Sequence, residues 1–150
     1  MTIPYPILAI DYGEKHFGIA VSDSKGIIAS PLEVISITKN KNRDIIIEEI
    51  LELATENGAK SILVGIPQAF TKAQDETVRK VRNFIKSLSR KTKLPITPYD
   101  ESFSTTQAQN VLISSGQNTK STRGKIDKIA ATVFLQEYLN SRIQENEKDF

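Results

Sequence analysis

The chain has 150 residues, a net charge of +2, a single histidine and no cysteine, which excludes disulfides, thiolate zinc sites and cysteine nucleophiles and fits a reducing compartment. A chain this long buries roughly 68–70% of its unfolded surface, enough for one core without covalent staples. It has no apolar run near the ~18 residues of a membrane span and no signal-like start, so the expectation is one domain over residues 1–150, cytoplasmic and off the membrane.

Residues 6–11 read as a first strand, because Ile7-Leu8-Ala9-Ile10 is a continuous apolar run of the kind buried on both faces. Tyr12-Gly13-Glu14-Lys15 is a turn in which Gly13 is expected to take positive φ. Residues 17–23 form a second strand, Ser24-Lys25-Gly26 a second turn, and residues 27–37 a third strand disturbed at Pro31. These three make an antiparallel meander. Residues 43–57 are helical: Ile46, Ile47, Ile50, Leu53 and Ala54 make an apolar stripe, and Asn57-Gly58 stops it. Residues 60–66 form a short strand whose run Ile62-Leu63-Val64 suits parallel pairing, and Pro67 ends it.

Thr71 with Gln74 resembles a capping box and opens a helix to about residue 90. Its core stripe is Val78, Val81, Ile85 and Leu88, while Arg79, Arg82, Lys86 and Arg90 lie on a separate face. Residues 96–100 are a fifth strand. Ser104 with Gln107 opens a further helix that stops near Gly116. Residues 117–124, with Lys120 and Arg123, read as a mobile basic loop. Residues 126–142 are the last helix, and residues 144–150 a frayed tail. Three strands followed by alternating helices and strands predict an α/β fold, a mixed five-stranded sheet flanked by helices.

Charge is distributed unevenly. Residues 1–75 carry net −3 and residues 76–150 net +5. Between Lys72 and Lys93 eight basic residues face only Asp75 and Glu76. Such asymmetry suits a polyanionic partner, although a solvated helix face has the same composition.

Three acids stand where elements meet the core. Asp11 ends the first strand, Glu101 follows the fifth, and Asp127 opens the last helix on a face shared with Ala130, Ala131, Phe134 and Tyr138. Each has an ordinary reading: a hairpin aspartate, an acidic strand end before a cap, and a first-turn acid favoured by the helix dipole by about 0.3–1 kcal/mol. Yet a buried carboxylate costs several kcal/mol unless something positive compensates. Three such acids in one sheet suggest a shared hard cation, Mg²⁺ or Mn²⁺, which prefers oxygen ligands. Such a site suits in-line phosphoryl transfer. His16, on the turn after Asp11, can touch a phosphate or shuttle a proton, or simply stay solvated. The sequence has no P-loop and no Gly-x-Gly-x-x-Gly.

Five short segments, in order and spacing, resemble one family: Ile10-Asp11-Tyr12-Gly13-Glu14-Lys15, Gly18-Ile19-Ala20-Val21-Ser22-Asp23, Val64-Gly65-Ile66-Pro67, Asp100-Glu101-Ser102 with Ser104-Thr105-Thr106, and Ile126-Asp127-Lys128-Ile129-Ala130-Ala131. This is the bacterial Holliday-junction-resolvase-like family, also described as a pre-16S rRNA nuclease family. The resemblance spans roughly residues 6–140. It implies a ribonuclease H-like fold and a metal-dependent nuclease acting on structured nucleic acid. It also implies that Asp11, Glu101 and Asp127 form the active site and hold the metal, with Asp100 supporting them. The role it implies is trimming the 5′ end of precursor 16S rRNA in ribosome biogenesis, or resolving branched DNA.

This chain departs from the family's pattern in carrying His16 and Ser102 where arginine is usual. The loop after Pro67, Gln68-Ala69-Phe70-Thr71-Lys72, differs as well. Lys15, His16, Arg79, Arg82, Lys86, Lys120 and Arg123 are the expected nucleic-acid contacts, and the expected state is a monomer or weak homodimer. Two rival readings come with distinct tests. A binding or assembly factor with a degenerate site binds RNA without divalent-dependent cleavage. An actin-like or sugar-kinase ATPase, suggested by Asp-Tyr-Gly on a hairpin, turns over ATP.

Overall fold

Ile7–Asp11 forms β1, and all five of its side chains are buried, as a continuous apolar run requires of a strand with a layer on either side. A computed structural model describes residues 3–66, 72–100 and 119–148, with side chains over 3–66, 75–99 and 129–143. β2 is His16–Ser22, β3 Ala29–Ser36, β4 Ser61–Ile66 and β5 Ile96–Asp100. The helices are α1 (Arg43–Glu56), α2 (Lys72–Ser89) and α3 (Thr119–Lys148). The five strands lie in the order β3-β2-β1-β4-β5. β1–β2 and β2–β3 are antiparallel, and β1–β4 and β4–β5 are parallel. The expected mixed sheet is therefore present, with β1 at its centre. The helix expected from Ser104 to Gly116 lies outside the described residues.

Local chemistry explains the boundaries. The Asn42 side chain caps α1 by accepting from the Ile45 N–H at 3.0 Å. α1 ends where Gly58 turns left-handed at φ 64°. The strain expected at Pro31 appears as a bulge: Ile19 pairs with Glu33 but Ala20 with Pro31, so Leu32 is the extra residue. Gly13, by contrast, is not among the positive-φ residues. Its need for glycine is steric, because a Cβ there would collide with the His16 carbonyl oxygen.

Side chains alternate across β1 and feed two cores. Leu8 and Ile10 join Phe17, Ile19, Ile62 and Val64 beneath α1 and α2. Ile7 and Ala9 join Ala20 and Leu63 beneath α3, which contributes Ala131, Phe134, Leu135, Tyr138 and Leu139. In α2 the buried residues are Val81, Phe84 and Leu88. The expected stripe missed Phe84, which replaces Val78 and Ile85 at the centre of the contact; those two are only partly buried.

The last helix is longer than its sequence suggests. Residues 119–124, expected as a mobile loop, are the first turns of α3, and residues 144–148, expected as a frayed tail, continue it. Ser and Thr cost at most about 0.7 kcal/mol each in a helix and Gly124 about 1 kcal/mol. Neither outweighs propagation from a packed segment that contains no proline. Among the described residues no helix is long and apolar enough to cross a membrane.

Candidate active site

Asp11 is the last residue of the central strand and is only 8% exposed. It follows Ile7 and Ala9 in the alternation of β1, so it belongs to the face covered by α3. Its direct neighbours in the ladder are Gly18 on β2 and Gly65 on β4, and Gly65 in turn pairs with Tyr99 of β5. The face narrows toward this row. Ile7 lies beside Ser61, Ala9 lies between Ala20 and Leu63, and Asp11 lies between two glycines. A carboxylate thus ends the strand in the one row whose immediate neighbours have no side chains. Tyr99, stacked on Phe134 at 5.7 Å, walls the same face two strands away.

The opposite face fixes the hairpin that follows. Tyr12 makes an edge contact with Phe17 at 5.1 Å and packs on Phe84 of α2 at 5.4 Å. Glu14 reaches Lys80 of α2 at 2.9 Å. The Lys80 hydrogen bond and charge hold the Glu14 carboxyl below the usual range, and Glu14 raises Lys80 in return. Both are exposed, so this pair is screened and adds little to stability.

His16 opens β2 on the Asp11 face, two residues before Gly18. It is partly buried, and its Nδ1 shares a 2.9 Å hydrogen bond with Oγ of Ser36, its direct partner on β3. Lys15 is exposed at the rim, and its carbonyl accepts from the Ile37 N–H at 2.8 Å.

The two other acids come after β5 and within α3 in the sequence. β5 runs parallel to β1 through β4, and Tyr99 shares the Asp11 row, so Asp100 lies one residue beyond that row. Glu101, the next residue, lies outside the described residues. Asp127 is described by its backbone, within α3. The Gln136 side chain accepts from the Ala29 N–H and donates to the Ile27 carbonyl, both at 2.9 Å, which ties this part of α3 to the Ile7 end of the sheet. From there Asp127 is nine residues back along the helix, about 13–14 Å. Asp11 is four residues along β1, about 13 Å. Asp127 thus lies inside α3, the helix that covers the Asp11 face, and not in its first turn as the sequence suggests, because α3 already begins at Thr119. Among the described residues no three His, Cys, Asp or Glu side chains converge as a metal site; Asp11 is the one acid of the trio whose side chain is described.

The expected nucleic-acid contacts divide between layers. Lys120 and Arg123 lie on α3 before Asp127. Arg79, Arg82, Lys86 and Arg90 are exposed on α2, across the sheet from the Asp11 face. None of these four forms an ion pair with a described residue. Sequence reasoning missed Phe84, Ser36 and the paired glycines. Only the glycines left a signal: a glycine inside a strand marks a close approach of some other group.

A family model described as RuvX: Holliday junction resolvase matches residues 5–141. A Halothermothrix orenii protein named "Putative pre-16S rRNA nuclease" is 37% identical over 134 residues, covering 89% of this chain and 94% of its own. A Fusobacterium nucleatum protein of the same name is 37% identical over 137 residues, covering 90% and 96%. Among solved structures, Thermus thermophilus RuvC in complex with Holliday junction substrate superposes with a TM-score of 0.57 at 17% identity, covering 91% of this chain and 95% of that one. Fowlpox virus resolvase, bound to Holliday junction DNA, gives 0.52 at 17% identity, covering 91% and 97%. These two likenesses are of fold. The mixed five-stranded sheet is consistent with a ribonuclease H-like fold, and the family match and the 37% identical relatives go further: this chain belongs to the RuvX family, a family of nucleases.

Proposed function

We propose that this chain is a metal-dependent nuclease that trims the 5′ end of precursor 16S rRNA, with Asp11, Glu101 and Asp127 as its metal-holding acids. The observation that carries this reading is Asp11 itself, a carboxylate 8% exposed at the carboxyl end of the central strand, flanked by two glycines. A largely buried carboxylate at the carboxyl end of a central strand is the kind of group that a charged functional site keeps. An all-oxygen donor set suits Mg²⁺ or Mn²⁺. When bound, such an ion supplies charge neutralisation for phosphodiester hydrolysis.

The protein's own contribution is positioning. β1 is paired on both sides, so the Asp11 backbone is held rigidly before any substrate arrives. Asp100, beside Glu101, supports the strand end. Lys15, His16, Lys120 and Arg123 are the phosphate contacts on the Asp11 side, and Arg79, Arg82 and Lys86 those on α2. Contacts of this kind set register and affinity without reading sequence. A nucleic acid that touches both layers must pass around the carboxyl edge of the sheet, which suits a structured substrate. The expected state is a monomer or weak homodimer.

The test is direct. Purified protein is incubated with 5′-extended 16S precursor and with a synthetic four-way junction, each with Mn²⁺ or with chelator. Divalent-dependent shortening of the RNA, lost in Asp11→Asn, is the expected result. Cleavage of the junction alone would favour resolution of branched DNA, the reading that the fold likeness to junction resolvases supports. Salt-sensitive binding without product would favour a binding or assembly factor.

A further inference from the structure

We propose that Ser36 is a positioning residue: it orients His16 so that the free ring nitrogen, Nε2, contacts a phosphate oxygen of the bound nucleic acid beside Asp11. The proposal rests on the nuclease reading above. Asp11 pairs directly with Gly18. His16 is therefore its diagonal neighbour on the same face, a relation in which the residues lie about 7–8 Å apart and their Cβ atoms somewhat closer. A phosphate group with a hydrogen bond on its far side fills a gap of that size. On this face of β2 the residue beside Asp11 is Gly18, which itself places no side chain between them.

Among the described residues the ring is held from one side only. Nδ1 is engaged by Ser36 Oγ at 2.9 Å, and among the described residues Nε2 has no hydrogen-bond partner. When the serine hydroxyl donates to Nδ1, the ring proton sits on Nε2, which is then a donor; in the imidazolium both nitrogens donate. Either form offers a phosphate oxygen a hydrogen bond. Ser36 and His16 are direct partners across the β2–β3 ladder, so the backbone fixes the hydroxyl where the ring needs it. Without the hydroxyl the imidazole swings about its χ angles, and the contact must be re-formed at each binding event. This arrangement predicts that Ser36 acts only through His16.

The experiment is a double-mutant cycle on the full chain, with 5′-extended precursor 16S RNA as probe. Equilibrium Kd is measured in chelator, and KM and kcat in Mn²⁺. His16→Ala is expected to raise Kd and KM about tenfold, the loss of one hydrogen bond to a charged group. Ser36→Ala is expected to raise both about threefold with kcat nearly unchanged, and Ser36→Thr, which keeps the hydroxyl, to restore them. In the His16→Ala background, Ser36→Ala should add nothing. An undiminished Ser36→Ala effect in that background overturns the proposal, as does a Ser36→Ala protein with wild-type Kd and KM. Thermal melts of each variant separate a folding defect from a lost contact. If the unmutated protein neither binds nor cleaves the RNA, the nuclease reading fails and takes this proposal with it. If it does both while the His16 and Ser36 variants match it, only the proposal fails.

Discussion

The two faces of the sheet are built from the same five strands and could hardly differ more. Beneath α1 and α2 lie large side chains, with Phe17, Phe84 and Tyr12 in mutual contact at ring separations of 5.1–5.4 Å. Beneath α3 the side chains shrink toward the carboxyl edge, from Ile7 through Ala9 to Asp11 between two glycines. Small residues and a carboxylate on one face are tolerable because the other face supplies the apolar burial that keeps β1 in place. Stability and chemistry are thus separated by the alternation of a single strand.

That comparison can be broken from either side. The largest effect should come from the packed face: Phe84→Ala removes the ring that packs on both Tyr12 and Phe17 and should cost about 3–5 kcal/mol of unfolding free energy by denaturant titration. On the other face, Asp11→Asn should lower cleavage by roughly 10²–10³-fold, on the scale of losing one preorganised electrostatic group. Its melting temperature should change little, because asparagine keeps the shape of the side chain and one oxygen acceptor. A melting temperature that collapses in Asp11→Asn would show that the acid belongs to the architecture. Gly65→Val tests the glycine row: it should cost about 1–3 kcal/mol as overpacking and should also lower Mn²⁺-dependent cleavage, whereas a purely structural glycine would move only the melt.

The smallest expected effect lies away from both faces. Asp23 accepts from the Ile28 and Ile27 N–H groups, at 3.0 and 2.7 Å, and these bonds hold its carboxyl below the usual range. Its contribution to stability is present above the ordinary carboxylate pKa and is lost as pH falls through the lowered folded value. The melting-temperature gap between wild type and Asp23→Asn should therefore shrink on acidification. A gap that widens in acid contradicts that assignment.

Much of this protein is local and could be read residue by residue. The run Ile7-Leu8-Ala9-Ile10 could only be a strand covered on both sides, and the Asn57-Gly58 stop and the mixed sheet follow from equally local rules. Misreadings arose where packing overrides composition. Residues 119–124 look like a loop because they are polar, but they are helical because the segment after them is anchored to the sheet. Phe84 escaped the core stripe because its neighbours Val81 and Ile85 already satisfied the period. Gly13 looked like a conformational glycine, but the His16 carbonyl is what forbids a side chain there.

The sequence alone determined the strands and the amphipathic helices, because each of these depends on neighbours within a few residues; Asp127, read as opening the last helix, lies instead inside α3, whose start the sequence did not mark. Only the tertiary structure decided that Asp11 stands between Gly18 and Gly65, that His16 is tied to Ser36, and that the α2 stripe lies across the sheet from Asp11. Those relations are set by ladder register and by the hand of the crossover connections. Both join residues far apart in the chain and leave no periodic mark in it.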